Sequence, residues 1–542
     1  MKRFYVWIVI LSGFVLAGCG VKPPPVPVPV EEPDIRVGLL WGKSSLEFSV
    51  NSRFTLANED GTFIARNIRG GHWRVEVKSS VPGDTVYVLV AASMSSESRA
   101  RAMSRSIQEK GFSTFIYPVG KSLRAGNRVI QNNRTYRVCL EKAFSTREEA
   151  KTFQESISGR LETFIAPLSL KKPSGILLLT NLDNGQKLES AQSVYILGAP
   201  VSLYNVPVGT GYHWERLETR LYPEKIVFQL GTDGLLTAIN ELPLEEYLRG
   251  VVPAEMPAGF PLEALKAQAV AARSEVLARF GKAHPADPFD VCADVHCQSY
   301  TGLTKTDPRT DRAVRETRGR VLSKDGAICN AVYSSVCGGH GEHTENVWRG
   351  PAFSYLRGHL DGPGSLKRYT PLSREDKVRR WIDDSPAAWC NATSGDFPSA
   401  LEYTKKYFRW ESTFTQKELA GRIADQTGRD LGAILDLIPL ERGVSGRIIR
   451  LKIKGTEGET EVEGELQIRR ALSPTTLWSA CFYVIRERIR NGVPDAFRFK
   501  GAGWGHGVGM CQTGAAVLAL KGARYEQILK FYYHGIKTRS LY

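Results

Sequence analysis

The stretch Val252-Pro253-Ala254-Glu255-Met256-Pro257 mounts a single carboxylate among apolar and conformationally rigid neighbours. Proline fixes φ on both sides of Glu255, and Pro261 stands where helices accept proline, in the first turn. The spacing predicts Glu255 just ahead of the N-terminus of a helix running from Pro261 to Phe280. A carboxyl group held in one place, with Pro253, Met256, Pro257 and Phe260 as an apolar wall, is a candidate proton donor, because desolvation raises a carboxyl pKa. The competing reading is a surface glutamate favoured by the helix dipole.

Three further stretches carry chemistry-bearing residues. Tyr333-Ser334-Ser335-Val336-Cys337-Gly338-Gly339-His340 continues to His343 and Trp348, and its paired glycines let backbone amides face a ligand. A nucleophile at Ser335 or Cys337 beside His340 or His343 would lack the Gly-x-Ser-x-Gly elbow, and His340-Gly341-Glu342-His343 lacks the four-residue spacing of a zinc-protease helix. The Gly501–Ala515 stretch alternates glycine with Trp504 and His506, offering a plate for a sugar ring and an imidazole for its hydroxyls. It has neither the Walker lysine nor the dinucleotide spacing of a phosphate cradle. Between Asp290 and Tyr300, Cys292, His296 and Cys297 offer thiolate, imidazole and thiolate to one tetrahedral zinc, with His284 or Cys337 as fourth ligand. A disulfide such as Cys297–Cys337 is the alternative.

These residues need elements to hold them. On the helix after Glu255, Leu262, Leu265, Ala269, Ala272 and Val276 form one apolar face. Its other faces are mostly alanine, so Arg273 lies against a neighbouring segment, a substrate, or a buried ion-pair partner. Arg36–Leu40, Leu46–Val50 and Trp73–Val77 read as strands. Between Thr85 and Ala166 the pattern becomes strand, helix, strand, strand, helix, strand, with polar turns at Gly126 and Asn132-Asn133 and a capping box at Ser145-Thr146-Arg147-Glu148. After Leu170 strands return through Ile176–Leu179, Ile226–Leu230, Leu236–Asn240 and Glu245–Leu248. A helix-bearing stretch, Thr415–Ile438, precedes strands at Arg447–Lys454 and Glu459–Ile468. The expected fold is α+β: a mixed α/β domain, residues 35–80 and 170–542, with a small ferredoxin-like βαββαβ unit inserted at 84–168. Lys2, Arg3 and the apolar run Phe4–Val15 read as an export signal ending at residue 19, too short for a membrane span. Residues 20–34 form a proline-rich spacer, which places the folded part at most about 40 Å from the bilayer. Export turns the net charge of +15 away from nucleic acid and towards anionic envelope polymers.

Leu16-Ala17-Gly18-Cys19 resembles a bacterial lipobox, which implies lipidation of Cys19, and Gly20 after it implies the periplasmic face of the outer membrane. The inserted unit resembles the SPOR domain through Tyr87-Val88-Leu89-Val90, Tyr136-Arg137-Val138 and Phe144-Ser145-Thr146-Arg147-Glu148-Glu149-Ala150, with Leu89 where many members carry glutamine. That resemblance implies binding to peptidoglycan strands stripped of stem peptides. The larger domain resembles the SpoIID/LytB family through Val251–Pro257, Lys266–Arg273, Cys337-Gly338-Gly339 and Gly503–Ala515. Enzymatic members are lytic transglycosylases that cut the MurNAc–GlcNAc bond of denuded strands. The resemblance implies Glu255 as the essential glutamate and Arg273 as a needed arginine; the residues expected to bind substrate are Arg273, Tyr333, Ser335, Trp504, His506 and Gln512. Some members hold zinc near Cys292–Cys297 and others lack it, so the cofactor implied is structural and none is needed for the chemistry. LytB-like members are amidase enhancers, which implies a cell-wall amidase as an alternative partner; a non-catalytic glycan-binding anchor is a further alternative.

One carboxylate suffices for a lytic transglycosylase, whereas hydrolytic glycosidases commonly use two. The muramoyl 6-hydroxyl attacks its own anomeric carbon, so a single group protonates the leaving oxygen and then deprotonates that hydroxyl. Such a group must start protonated. Arg273 touching Glu255 would oppose this, which places the arginine on substrate or a neighbouring loop.

Overall fold

Alternation in Leu46-Glu47-Phe48-Ser49-Val50 sends Leu46, Phe48 and Val50 to one face, and all three are buried. The computed structural model describes residues 32–125, 128–191, 193–348, 350–393 and 397–542. Cys19, the export signal, nearly all of the proline-rich spacer and the Gly126 turn lie outside the described residues. The fold is α+β.

Asp34–Lys43 pairs antiparallel with Leu236–Pro243 and parallel with Val291–Cys292. Ile226–Leu230, Ser193–Leu197, Phe54–Ala57 and Phe63–Ile68 extend this to a seven-stranded sheet. A six-stranded sheet runs in the order Lys187–Ala191, Ser174–Asn181, Gly71–Val81, Ser45–Val50, Val201–Val208, Arg216–Tyr222. Phe48 of the second sheet meets Phe228 of the first with ring centroids 5.1 Å apart, so both sheets close on one core. Strands before Pro82 and after Pro173 interleave in both sheets, and the segment between them is carried as a separate body.

That body is a four-stranded sheet in the order Phe164–Lys171, Asp84–Met94, Thr135–Phe144, Thr114–Val119, backed by helices Glu97–Gln108 and Arg147–Ile157. The second helix opens on a capping box of Thr146 and Glu149, one residue later than the sequence spacing suggested. Both registers satisfy the pattern, and the Ser145 N–H donates to the same Glu149 carboxylate at 3.1 Å. The region read as polar turns holds a hairpin, Ser122–Ala125 with Arg128–Asn132, that docks on the main body. Leu123 enters the main core, and the buried Asn133 amide donates to Leu277 O at 2.6 Å and Phe280 O at 3.1 Å, carbonyls left open at a helix C-terminus.

Above the sheets lie helices Leu244–Glu255 and Leu262–Arg279. The strand expected over Glu245–Leu248 is the first turn of the former. Pro243, the last residue of the ladder, has no N–H to carry it further, two glutamates favour a helix start, and Leu244, Tyr247, Leu248, Val251 and Val252 recur at helical spacing, all buried. Helices Gln512–Leu520 and Tyr525–Tyr532 pack on the alanine-rich helix. Within the span expected as one domain, residues 410–501 form their own core around Ile423, Ile453, Phe497 and Phe499, built from two three-stranded sheets and helices Gln416–Thr427 and Glu465–Leu472. The strand expected over Glu459–Ile468 stops at Glu463, because Gly464 at φ +100° turns the chain into the second of these helices.

Candidate functional site

Glu255 is the last residue of its helix rather than a residue ahead of the next one. A helix C-terminus disfavours negative charge, which adds to the effect of burial. Burial pushes the carboxyl from 4.5 up to about 7, with Glu275 adding to the push and the Ser299 N–H and Lys305 opposing it. The Ser299 N–H donates to Glu255 Oε1 at 2.6 Å, and Gln512 Nε2 donates to the Glu255 carbonyl at 3.0 Å. Side chain and backbone are thus both fixed. A pocket of about 100 Å³ opens alongside, lined in part by Trp214, Arg216, Arg220, Ala254, Ser299 and Lys305.

Two loops frame the other side. Tyr333-Ser334 pairs parallel with Met510-Cys511, and Val336 and Trp504 exchange backbone hydrogen bonds of 3.2 and 2.7 Å. The glycine-rich loop approaches its partner so closely that a Cβ on Gly509, at φ +73°, would lie 2.0 Å from Val332 O. This spacing holds Trp504 in an aromatic group, 4.3 Å from Tyr407 and 5.6 Å from Trp214 between ring centroids, with Trp478 at 6.0 Å. Tyr333 carries an enclosed hydroxyl without a hydrogen-bond partner, and burial with the nearby charges of Glu255 and Glu275 pushes its pKa up. Ser335 is hydrogen-bonded to Tyr403, whose hydroxyl burial pushes up to about 12 and which also feels the Glu255 charge. The sequence reading missed Tyr403, Tyr407, Trp214 and Trp478. Their aromatic character was the available signal, but nothing in local spacing ties them to residue 255.

Three of the residues expected to bind substrate do other work. Arg273 has no exposed surface; it pairs with both Glu245 oxygens at 2.6 and 2.9 Å and donates to Arg320 O at 3.0 Å. The same Glu245 accepts from Gly319 N and Tyr542 OH, so the arginine completes a buried network between helices, away from Glu255. Gln512 is buried and bridges the Glu255 carbonyl to Gln268. His506 Nδ1 accepts from the Val508 N–H at 3.0 Å within its own loop, and the imidazole also bonds the Tyr333 backbone across to the other loop, while burial pushes its pKa down to about 4. Tyr333 feels the Glu255 charge, Ser335 is bonded to Tyr403, which also feels it, and Trp504 belongs to the aromatic group that reaches Trp214 at the pocket. Neither His340, bonded to Gly341 O, nor His343, bonded to Gly358 N, forms a hydrogen bond with Ser335 or Cys337.

The structure brings His284, Cys292, His296 and Cys297 together, with one ligand atom from each all within 4.8 Å of one another. Two sulfurs and two imidazoles are a donor set suited to tetrahedral zinc, and Asp287 sits 2.9 Å from His284 Nδ1, as a carboxylate behind a metal-bound histidine does. The loop from Cys292 to Cys297 runs directly into Ser299, so ions held there would steady the N–H that contacts Glu255. Cys337 is not a fourth ligand and is not paired with Cys297; it lies in a different cluster, and the eight cysteines among the described residues are free.

The chain matches the model for the Stage II sporulation protein over residues 232–323, the SPOR domain over 83–167, and a domain of unknown function (DUF8618) over 342–509. It is 30% identical over 315 residues to Stage II sporulation protein D of Bacillus subtilis, covering 55% of this chain and 75% of that protein. An uncharacterized protein of Brachyspira hyodysenteriae is 31% identical over 302 residues, 56% of this chain and 68% of that one. The amidase enhancer of Bacillus subtilis is 28% identical over 302 residues, 54% of this chain but only 40% of the enhancer. The chain belongs to the stage II sporulation protein D family and carries a SPOR domain within it.

Proposed function

We propose that this protein is a peptidoglycan lytic transglycosylase in which Glu255 acts as general acid and then general base. The observation that carries the reading is a carboxyl pushed up to about 7 beside a largely polar pocket on which Trp214 sits, with Trp504 5.6 Å from Trp214 between ring centroids. A protonated Glu255 gives its proton to the glycosidic oxygen as the C1–O bond breaks. The carboxylate so formed takes the proton of the muramoyl 6-hydroxyl as that oxygen bonds to C1, leaving a 1,6-anhydro end and a restored acid. Trp504 and Trp214 offer faces for sugar rings. The SPOR domain brings the enzyme to denuded strands, Cys19 carries a lipid anchor at the periplasmic face of the outer membrane, and His284, Cys292, His296 and Cys297 hold a structural zinc.

The similarity to an amidase enhancer favours a second reading, in which the same surface stimulates a cell-wall amidase without cutting glycan. Denuded strands incubated with wild type and Glu255→Gln separate the two. Anhydro ends from wild type alone support catalysis; no anhydro ends from either, with equal stimulation of an amidase by both, refutes it.

A further inference from the structure

We propose that Cys337, Asp361, Cys390 and Cys511 form a second metal site, of the three-thiolate, one-carboxylate type suited to structural zinc. The four residues come from distant parts of the chain: the turn after Tyr333-Ser334, the strand-like segment bridged to His340, the loop beyond helix Glu375–Asp384, and the N-cap of helix Gln512–Leu520. One ligand atom from each lies within 4.8 Å of all the others. Cys337 Sγ is 3.5 Å from Cys390 Sγ and 3.1 Å from Asp361 Oδ2. Zinc–sulfur bonds of about 2.3 Å in a tetrahedron place sulfurs about 3.8 Å apart, so a small adjustment closes the set on one ion.

The surroundings favour a bound cation. All four residues are buried, and among the described residues no lysine or arginine ion-pairs with Asp361. A carboxylate enclosed with three sulfurs and without an ion-pair partner of its own is costly. Backbone N–H groups already point at the sulfurs: those of Cys337 and Gly514 at Cys511 Sγ, 3.2 and 3.5 Å, and that of Gly339 at Cys337 Sγ, 3.4 Å. Tyr532 OH donates to Asp361 Oδ1 at 2.7 Å, orienting the carboxylate while Oδ2 faces the sulfurs. A Cβ on Gly514 would lie 2.6 Å from Asp361 Oδ2, so the helix start leaves the room the carboxylate needs. An ion here would fasten the Cys337 turn, which is bridged to Trp504, to the segment whose Gln512 holds Glu255. This site does not depend on the reaction assigned to the cleft.

Metal content of the full chain bearing Cys292→Ser and Cys297→Ser, which empties the His284 cluster, is expected to be one zinc per chain. Adding Cys390→Ser and Cys511→Ser should take it to zero. In wild type, which needs no variant to fold, Cys337, Cys390 and Cys511 should resist alkylation until a chelator is added, and cobalt(II) should give thiolate charge-transfer absorption from both clusters. A metal-free Cys292→Ser, Cys297→Ser protein, zinc that survives the loss of Cys390 and Cys511, a disulfide among the three cysteines, or chelator-independent alkylation in wild type would each overturn the proposal.

Discussion

Glu255→Gln keeps the side-chain volume and the acceptor for the Ser299 N–H while removing the titrating proton. A carboxyl at about 7 when folded and at 4.5 ordinarily differs by about 3 kcal/mol between the two states, at about 1.36 kcal/mol per pH unit. The sign follows from proton counts. Between those two values the folded chain binds the proton and the unfolded chain does not, so wild-type stability falls as pH rises through the window. It is full below about 4.5 and lost above about 7, and the glutamine variant lacks this slope. Urea unfolding of both proteins from pH 4.5 to 8, read by tryptophan fluorescence from the aromatic group around the cleft, should show the variant gaining about 3 kcal/mol on wild type across the range. Difference infrared spectra should show a protonated carboxyl band in wild type at pH 6 that is absent from the variant. Transglycosylase turnover should fall on the order of 10²- to 10⁴-fold in the variant, and in wild type should decline as pH passes about 7. A stability difference that stays constant with pH, together with no such band at pH 6, would refute the desolvated-acid reasoning.

Trp504→Ala should weaken binding of denuded strands roughly tenfold, or about 1.4 kcal/mol, in a strand-affinity titration while leaving the infrared band in place. Arg273→Ala strands Glu245 as an unpaired buried charge and should cost about 3–5 kcal/mol, seen as loss of soluble folded protein, whereas the folded remainder keeps the Glu255 titration. Asn133→Ala removes both amide bonds to the end of the alanine-rich helix and should cost about 1–3 kcal/mol of docking, seen as faster limited proteolysis around residues 122–132. Asp294→Asn, at the rim of the same pocket, should leave the yield of anhydro ends within about twofold, because the internal hydroxyl replaces an external nucleophile.

What the sequence made legible was local. Alternation and helical spacing placed the strands at Leu46–Val50 and Ile226–Leu230 and the helix after Pro261, since each depends on side chains within a few residues. The Glu245 stretch was misread because its four residues fit either period, and only the register of Leu244 through Val252 settles the helix. Partners across the chain were harder. Arg273 could be seen to need a partner, but that the partner is Glu245, with Tyr542 on the same carboxylate, follows from how two helices and the last residue pack. His284 and Cys297 are thirteen positions apart and could be guessed as co-ligands; Cys337, Asp361, Cys390 and Cys511 span loops that meet only when the glycine-rich segment folds back on Tyr333.

A second carboxylate does lie near Glu255, and its placement bears on the chemistry. Glu275 is close enough to raise the Glu255 pKa, yet it is buried, accepts from Gln298 at 2.9 Å and pairs with Arg279 at 3.3 Å. It is enclosed, engaged on both oxygens and absent from the residues that line the pocket, which is not the placement of the base in a hydrolytic pair. Its effect on Glu255 runs through charge alone. Gln298 and Ser299 are adjacent, so the segment that holds Glu275 in place with one side chain holds Glu255 with the next backbone N–H. A shift of that segment that lengthened the Ser299 contact would remove the main influence opposing burial and raise the Glu255 pKa further. The Cys292–Cys297 cluster immediately before it is thus placed to set how strongly the acid holds its proton, without touching the substrate.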